Sequence, residues 1–313
     1  MRLLIFNDTN VAIPANVILA TLRAAAESSD LEVCGFVTTR PYRFRPVTSR
    51  HRMRRRARDI GIAVLDRERP PPRDVVRRID TRVLADHGVP VITPEQGSVN
   101  SPEFVAFVEH ELRPDVALSY FFGTIFKRSL LECLPQAVNL HPALLPQYRG
   151  LRPVQFARYH GEDYTGVTFH RMAEGIDTGP ILAQRSVRIT PEESFDALSD
   201  RLALVAAAAV PEVLDLVRSN APGELQRGDA SYFSAKDFAG LFTVTSPHDV
   251  TYDELRRRIR AFGAVRMTID GASVRVTRLR ASRTGARYAF RTADGIVVAP
   301  DRIAGLPVAF ARS

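Results

Sequence analysis

The opening of the chain alternates between apolar runs and a helical segment, and this order constrains the fold more than any other feature. Residues 2–6 (RLLIF) form a short apolar run that predicts a buried strand. Ile13 to Glu27 has apolar residues at helical spacing, and Leu31 to Val37 predicts a second strand. A strand, a helix and a strand in this order indicate an α/β fold around a parallel sheet.

Further apolar runs continue this pattern along the chain. The additional predicted strands are Val89–Ile92, Val116–Phe122, Gln136–Leu140 and Val167–Met172. Ser101 fits the N-cap of a helix that runs to Leu112. The sequence Thr190-Pro191-Glu192-Glu193 fits a capping box that opens a helix to about Val217, in which Pro211 either introduces a kink or begins a new helix.

The pattern changes beyond residues 220–223 (NAPG), which are typical of a linker. An arginine-rich helix is predicted over Tyr252–Ala261, followed by short alternating strands. The Asp-Gly pairs at 270–271 and 294–295 favour hairpin turns between such strands. We therefore predict a first domain over residues 1–220, with a basic insertion at about 40–75, and a small β-rich, OB-like domain over residues 227–313.

Composition limits the class of protein. The chain has 313 residues, of which 45% are hydrophobic and 25% charged, as in ordinary globular proteins. The longest apolar run, Leu202 to Val210, is far shorter than the roughly 20 residues of a membrane span, so no membrane partner is expected. The two cysteines, Cys34 and Cys133, lack metal-like spacing, which favours a reducing cytoplasm and no metal site.

The charge of the chain permits an anionic partner. The formal net charge is +8, and arginines are concentrated between Arg40 and Arg58. A basic cluster is one of several signs of nucleic-acid binding, and by itself it also fits a solvated face.

The most informative segment chemically is NLHPALLPQYRG, residues 139–150, at the end of a predicted strand. In an extended chain Asn139 and His141 point to the same side, and the carboxyl end of a parallel strand is where open α/β sheets bind ligands. An amide and an imidazole aimed at one point suit catalysis. The alternative is that both side chains cap the strand end.

A second segment, GIDTG at residues 175–179, places Asp177 between two glycines. Glycine permits tight backbone conformations that bring a carboxylate close to another group. An amide that donates to an oxyanion, an imidazole that acts as acid, base or cation, and a carboxylate that tunes it together suit acyl transfer. The alternative for Asp177 is a turn residue.

Three blocks in order, NLHPALLPQYRG, GVTFHRM and GIDTGPILAQ, resemble the folate-dependent formyltransferases. The resemblance is close over about Asp115 to Gln184 and looser over the rest of the first 220 residues. It implies a Rossmann-like catalytic domain, N10-formyltetrahydrofolate as co-substrate, an amine acceptor and no metal. It further implies that Asn139, His141 and Asp177 are catalytic. No G-x-G-x-x-G follows the first strand, which argues against an NAD enzyme.

The resemblance also implies a pterin pocket between the strand before the catalytic block and the loop that carries Asp177. The residues assigned to it, largely through their backbones, are Tyr120, Phe121, Phe122, Gly123, Ala173, Glu174, Gly175 and Ile176. The alternative for at least two of the three aromatic residues is a place in the core.

Departures from the methionyl-tRNA branch of this family favour a different acceptor. Leu151 and Arg152 stand where that branch has small residues, and the chain contains no tryptophan. We expect a small amine in specialised biosynthesis: an amino sugar on a nucleotide, or an amino-acid side-chain amine or hydroxylamine such as N5-hydroxyornithine. The candidate acceptor-site residues are Gln147, Tyr148, Arg149, Arg152 and Gln155, and the arginines suit a carboxylate or phosphate.

Other classes of function stay open at this point. Methionyl-tRNA as the acceptor fits the basic charge and predicts binding that weakens with salt. A non-catalytic relative that binds folate and a plain nucleic-acid-binding module are further alternatives. No recognised nucleic-acid-binding motif supports the last of these.

Overall fold

The computed structural model describes residues 1–9, 11–39, 75–76, 81–94, 98–190, 193–269, 272–281 and 289–304. The chain divides into two compact units, Met1–Pro146 with Gly166–Asp229, and Gln147–Thr165 with Ala230–Ser313. The arginine cluster at 40–58, nearly all of the predicted insertion and the Asp-Gly pair at 270–271 lie outside the described residues. The domain boundaries predicted at 220 and 227 stay a prediction.

The elements follow one another along the chain in a mixed order. The strands are β1 (Arg2–Phe6), β2 (Glu32–Val37), β3 (Val91–Ile92), β4 (Val116–Tyr120), β5 (Ala137–His141), β6 (Arg149–Gly150), β7 (Tyr164–Arg171), β8 (Ile181–Arg188), β9 (Tyr232–Phe233), β10 (Thr243–Val244), β11 (Val265–Ile269), β12 (Ala272–Ala281), β13 (Phe290–Arg291) and β14 (Val297–Ala304). The helices are α1 (Ala12–Ala26), α2 (Thr81–Asp86), α3 (Pro102–Phe107), α4 (Arg128–Glu132), α5 (Pro153–His160), α6 (Phe195–Arg218), α7 (Ala235–Phe242) and α8 (Tyr252–Phe262).

The first unit contains a seven-stranded sheet in the order β3-β2-β1-β4-β5-β7-β8. The strands from β3 to β5 are parallel, and β7 runs antiparallel to β5. Residues 3–6 of β1 are fully buried, as expected of a central strand covered on both faces. Helices α1 and α6 pack on each other. The predicted α/β fold with a mainly parallel sheet is confirmed.

Several predicted element ends are also confirmed, and others shift for local reasons. Ser101 caps α3 by accepting a 3.2 Å hydrogen bond from the Phe104 backbone, and the helix continues as a π-helical turn to Leu112. Strand β4 stops at Tyr120, two residues before its predicted end, because Phe121 adopts a φ of 58°. A left-handed residue cannot continue a strand.

The long helix α6 begins later than predicted. Its N-cap is Ser194, whose hydroxyl accepts from the Ala197 backbone at 3.1 Å. Thr190 is therefore not the cap, although its backbone N–H donates to the Glu193 carboxylate at 2.7 Å. Pro211 lies inside a continuous helix and does not start a new one.

The second unit contains a five-stranded sheet in the order β10-β11-β12-β14-β13, which confirms a β-rich C-terminal region. Gly295, with a φ of 78°, forms the predicted turn between β13 and β14. A separate two-stranded pair joins β6 to β9. Helices α5 and α8 pack on each other, and the rings of Phe156 and Phe233 stack with centroids 4.2 Å apart.

Candidate active site

Strand β5 presents Asn139 and His141 at its carboxyl end. This strand lies between the parallel β4 and the antiparallel β7, so the two side chains emerge within the sheet rather than at its margin. His141 is 4% exposed and Asn139 is half-buried. Buried polar groups in such a position require partners.

The loop that follows β7 returns Asp177 to Asn139 and His141. Asp177 has a φ of 53°, a conformation that Asp tolerates better than most residues. Gly179 is required because a Cβ there would lie 1.9 Å from the carbonyl oxygen of Arg171. Gln226 fixes the loop from the other side, since its Nε2 lies 2.8 Å from the carbonyl oxygens of both Asp177 and Gly179. The predicted role of the flanking glycines therefore has a steric basis at Gly179.

These side chains form one polar cluster. The Asp177 carboxylate places Oδ2 3.4 Å from His141 Nδ1 and Oδ1 3.3 Å from Asn139 Nδ2. The side chain of Asp177 is 12% exposed, so these contacts form largely out of water, where electrostatic interactions are stronger. The structure thus brings Asn139, His141 and Asp177 together.

A fourth residue, His170, completes the cluster and was missed by the sequence analysis. It lies on β7 directly opposite Asn139, with its Nε2 3.1 Å from Asn139 Nδ2 and 3.4 Å from Asp177 Oδ1. The signal was present in the block GVTFHRM. It could not be used, because the sequence does not reveal that β7 pairs antiparallel with β5.

The geometry of the cluster allows one Asn139 N–H to serve both of its described acceptors. The distances from Asn139 Nδ2 to His170 Nε2 and to Asp177 Oδ1, and the distance between those two atoms, form a nearly equilateral triangle. Both acceptors therefore lie within about 60° of each other as seen from Nδ2, whereas the two N–H bonds of an amide diverge by about 120°. If one N–H is directed between the two acceptors, the other N–H points away from them. That second N–H is suited to donate to a developing oxyanion.

The residues predicted around the pterin at the end of β4 have different environments. Tyr120 belongs to the core, and burial raises the pKa of its hydroxyl, which lies 3.2 Å from Thr21 Oγ1. Phe122 makes edge contacts with two other phenylalanine rings in the same core region. Phe121 is half-buried, and the Gly123 backbone N–H donates to Asp8 at 3.3 Å. Of these side chains, only Phe121 lacks a described core or hydrogen-bonded role.

The second predicted pterin segment, residues 173–176, lies along an open cleft. The cleft is lined by Arg128, Leu131, Glu132, Met172, Ala173 and Glu174. Arg128 pairs with Glu132 at 2.7 Å and with Glu174 at 3.9 Å. Gly175 accepts from Thr178 Oγ1 at 3.1 Å, and Ile176 is 40% exposed. Two of the predicted residues, Ala173 and Glu174, thus share one cleft.

The predicted acceptor-site residues all belong to the second unit. Tyr148 is buried; its hydroxyl donates to Glu162 at 2.5 Å, and burial, together with Glu162, raises its pKa. The Arg152 guanidinium lies 4.6 Å from the Phe238 ring centroid. Gln147 and Arg152 are exposed, whereas Arg149 and Gln155 are half-buried. A role for these residues in acceptor binding stays a prediction.

Two further properties concern the described part of the chain. There, no group of three His, Cys, Asp or Glu side chains has an arrangement that could hold a metal ion. Within the same residues, no helix has both the length and the apolar character needed to cross a bilayer.

The fold and the cluster define a protein of the formyl transferase type, and comparison with known proteins agrees. Residues 45–214, more than half of the chain, match the family described as "Formyl transferase". The chain belongs to this family.

The relatives differ in how much of the chain they resemble. A methionyl-tRNA formyltransferase from Geobacter metallireducens is 40% identical over 148 residues, which are 47% of this chain and 44% of that protein. The chain spans about half the length of the curated relatives it matches.

Solved structures resemble nearly the whole chain in fold. A sugar N-formyltransferase from a Shewanella species has a TM-score of 0.64 at 20% identity, covering 89% of this chain and 97% of that one. An N-formyltransferase from Helicobacter canadensis, in complex with folinic acid and dTDP-3-aminofucose, has a TM-score of 0.58 at 17% identity, covering 95% and 97%. At these identities the likeness shows a shared fold.

Proposed function

We propose that this protein transfers a formyl group from N10-formyltetrahydrofolate to the amine of a small molecule. The observation that carries the proposal is the convergence of Asn139, His141 and Asp177, in a member of the formyl transferase family, on one partly buried point beside β5. This set supplies the groups that acyl transfer between nitrogens requires: an oxyanion donor, a cationic imidazole and a carboxylate.

The proposed reaction begins when the unprotonated amine attacks the formyl carbon and forms a tetrahedral intermediate. The second Asn139 N–H and a protonated His141 stabilise the oxyanion. His141 Nδ1 faces Asp177, which orients the ring and favours its cationic form. The amine proton passes through water to Asp177. The oxyanion then re-forms the C=O bond as the bond between the formyl carbon and N10 breaks. N10 takes the proton from Asp177 through water and leaves as the N–H of tetrahydrofolate, which returns Asp177 to its ionised form.

The folate co-substrate is assigned by analogy and by position. The Helicobacter canadensis relative is described with folinic acid, a formylated folate, and the resemblance places the pterin near residues 120–123 and 173–176. The cleft beside Ala173 and Glu174 and the half-buried Phe121 are compatible with this position. In this proposal, Tyr120 contributes through its backbone because its side chain is in the core.

The acceptor is proposed to be an amino sugar on a nucleotide or an amino-acid side-chain amine or hydroxylamine. The departures at Leu151 and Arg152 support a small acceptor, as does the likeness in fold to two sugar-directed enzymes along nearly the whole chain. Arg149 and Arg152 are the proposed partners for a phosphate or carboxylate of the acceptor.

Methionyl-tRNA is the second candidate acceptor. The curated relatives bear that name, and the exposed arginines of α8, Arg256, Arg257 and Arg260, offer positive charge to a polyanion. Such binding weakens steeply as salt rises, because phosphate contacts release counterions.

Release of tetrahydrofolate from N10-formyltetrahydrofolate tests both candidates. We would compare buffer, methionyl-tRNA, nucleotide-linked amino sugars, ornithine and N5-hydroxyornithine as acceptors. Release that depends on a small amine is the expected result. Release with methionyl-tRNA alone would replace the small acceptor by tRNA. No acceptor-dependent release across the panel would contradict the proposed reaction with these acceptors.

A further inference from the structure

His170 is a buried histidine to which the proposed reaction gives no role. It is 2% exposed, and both of its ring nitrogens have polar neighbours. It also contacts two of the three proposed catalytic side chains, Asn139 and Asp177. A buried ring with partners on both nitrogens holds a defined protonation state, which its partners determine.

The partner of His170 Nδ1 determines the tautomer. Nδ1 lies 2.8 Å from the carbonyl oxygen of Arg171, which can only accept a hydrogen bond. Nδ1 therefore carries a proton. In the neutral ring, Nε2 then has a free electron pair, and the nearest group to it is the amide nitrogen of Asn139, a donor, at 3.1 Å.

His170 and His141 both lie beside the carboxylate of Asp177. Asp177 places its two oxygens 3.4 Å from His170 Nε2 and from His141 Nδ1, so both rings compete for one carboxylate. A proton on His170 Nε2 would face the N–H of Asn139, which is unfavourable. The other charged group described beside His170 is Arg171, whose guanidinium bonds Ala221 and Gln136.

We propose that His170 is a positioning residue that accepts one N–H of Asn139 at Nε2 and thereby aims the other N–H at the formyl oxygen. This inference rests on the proposed function, because it assigns His170 a part in the same reaction.

Three substitutions of His170 test its two ring nitrogens separately. His170→Gln keeps an acceptor near the Nε2 position, His170→Asn keeps a donor near Nδ1, and His170→Phe keeps only the shape. We expect His170→Gln to remain within about threefold of wild-type kcat, and the other two to fall about tenfold to hundredfold, less than the 10²–10³ lost with an oxyanion donor. His87→Gln is the matched control, since His87 also places Nδ1 2.8 Å from a carbonyl oxygen but is exposed.

A structural role alone predicts a different result. It would lower kcat in proportion to the loss of stability, without the preference for Gln over Asn. Equal losses in all three variants would therefore overturn the inference. So would loss of a limb of the pH profile of kcat in His170→Gln, because a residue that only positions Asn139 transfers no proton in the reaction.

The tautomer can be measured without any acceptor. In protein labelled with ¹⁵N-histidine, the His170 signals are those that disappear in His170→Gln. At about pH 8, where an ordinary imidazole is neutral, we expect a protonated Nδ1 and an unprotonated Nε2. An Nε2–H tautomer at that pH would refute the inference. If the expected tautomer is found while the wild-type protein fails the acceptor panel, the proposed reaction with these acceptors is contradicted, and only the hydrogen bond from Asn139 to His170 Nε2 stands.

Discussion

Each unit of the molecule contains a carboxylate surrounded by polar side chains, and the two surroundings differ. In the first unit, Asp177 lies 3.3–3.4 Å from the side-chain nitrogens of two histidines and an asparagine. In the second, Glu254 receives bonds of 2.6–2.8 Å from Tyr159, Arg257 and Arg258. The partners of Asp177 include imidazole rings, a side-chain type that can gain or lose a proton, whereas the arginines beside Glu254 are permanently charged.

This difference separates a chemical role from a structural one. Short bonds from fixed charges stabilise one geometry and leave no proton to move. Longer contacts with histidines, on a loop whose backbone has a positive φ, leave the carboxylate able to exchange protons and partners. We therefore expect substitutions at Asp177 to affect turnover and substitutions at Glu254 to affect stability.

The largest expected effect is on catalysis, from Asp177→Asn. The substitution keeps the shape of the side chain and removes the charge that favours cationic His141. We expect kcat to fall by about 10²-fold or more, with little change in the free energy of unfolding. Glu254→Gln is the control, because it should lower stability and leave kcat near the wild-type value at low denaturant. Near-wild-type turnover of folded Asp177→Asn would remove Asp177 from the mechanism.

The sequence indicates the candidate catalytic residues more readily than it indicates the residues around them. Asn139, His141 and Asp177 belong to blocks whose order and spacing resemble a family, so their convergence could be expected. His170 stands in one of the same blocks, but its place opposite Asn139 depends on the antiparallel pairing of β7, a long-range property. Gln226 lies in a segment with no motif, and only the folded chain brings it to Asp177.

The ends of helices and strands show the same limit of prediction from sequence. The Ser101 cap is local chemistry and was predicted correctly. The end of β4 depends on the left-handed backbone of Phe121, which its residue type does not suggest. The Glu254 cluster joins residues 159 and 254, far apart in sequence, and no local pattern indicates that contact.

The next effect concerns packing in the second unit. Gly150 has a φ of 90°, and a Cβ there would lie 2.4 Å from the carbonyl oxygen of Phe233. We expect Gly150→Ala to cost about 3 kcal/mol, since a left-handed alanine costs roughly 1–2 kcal/mol before any clash. Gly161→Ala is the matched control, because Gly161 has a φ of 78° and open space around its Cβ position. Urea unfolding measures both, and equal losses would mean that the contact with Phe233 relaxes without cost.

Glu254→Gln tests the structural carboxylate itself. Burial raises the pKa of Glu254, but the hydrogen bonds from Arg258, Tyr159 and Arg257 outweigh burial and hold that pKa below its ordinary value. Because the pKa of Glu254 is lower in the folded protein, its ionised carboxylate stabilises the fold at pH values above the unfolded pKa of about 4.3. This stabilisation is lost as the pH falls through the folded pKa. We expect a loss of about 1.5–3 kcal/mol at neutral pH, which is typical of hydrogen bonds to a charged group.

The pH dependence distinguishes this effect from simple loss of packing. The difference in unfolding free energy between wild type and Glu254→Gln should be constant between about pH 6 and 8 and shrink below about pH 4. A difference that stays the same in acid would assign the loss to shape rather than charge. That result would also weaken the contrast with Asp177, because Glu254 would then not stabilise the protein through its charge.

The smallest expected effect comes from Gln226, which contacts the backbone of the loop that carries Asp177 in the first unit. Gln226 donates to the carbonyl oxygens of Asp177 and Gly179, so it fixes the backbone of the loop and not the carboxylate. Gln226→Met keeps the length of the side chain and removes both bonds. We expect kcat to fall about fivefold, equivalent to about 1 kcal/mol, because the loop samples positions in which Asp177 is too far from His141.

The KM for N10-formyltetrahydrofolate and the pH profile of kcat identify the cause of that loss. If Gln226 acts only through the loop, the pH profile keeps its shape while its height falls, since the protonation of His141 still follows Asp177 once the loop is in place. Gln136→Met is the matched control, because Gln136 donates to the Val217 carbonyl oxygen and contacts none of the proposed catalytic side chains. An equal loss in both variants would mean that the first unit tolerates neither change. A shifted pH profile of kcat in Gln226→Met alone would mean that the hydrogen bonds from Gln226 to the loop backbone also influence the charge of the site.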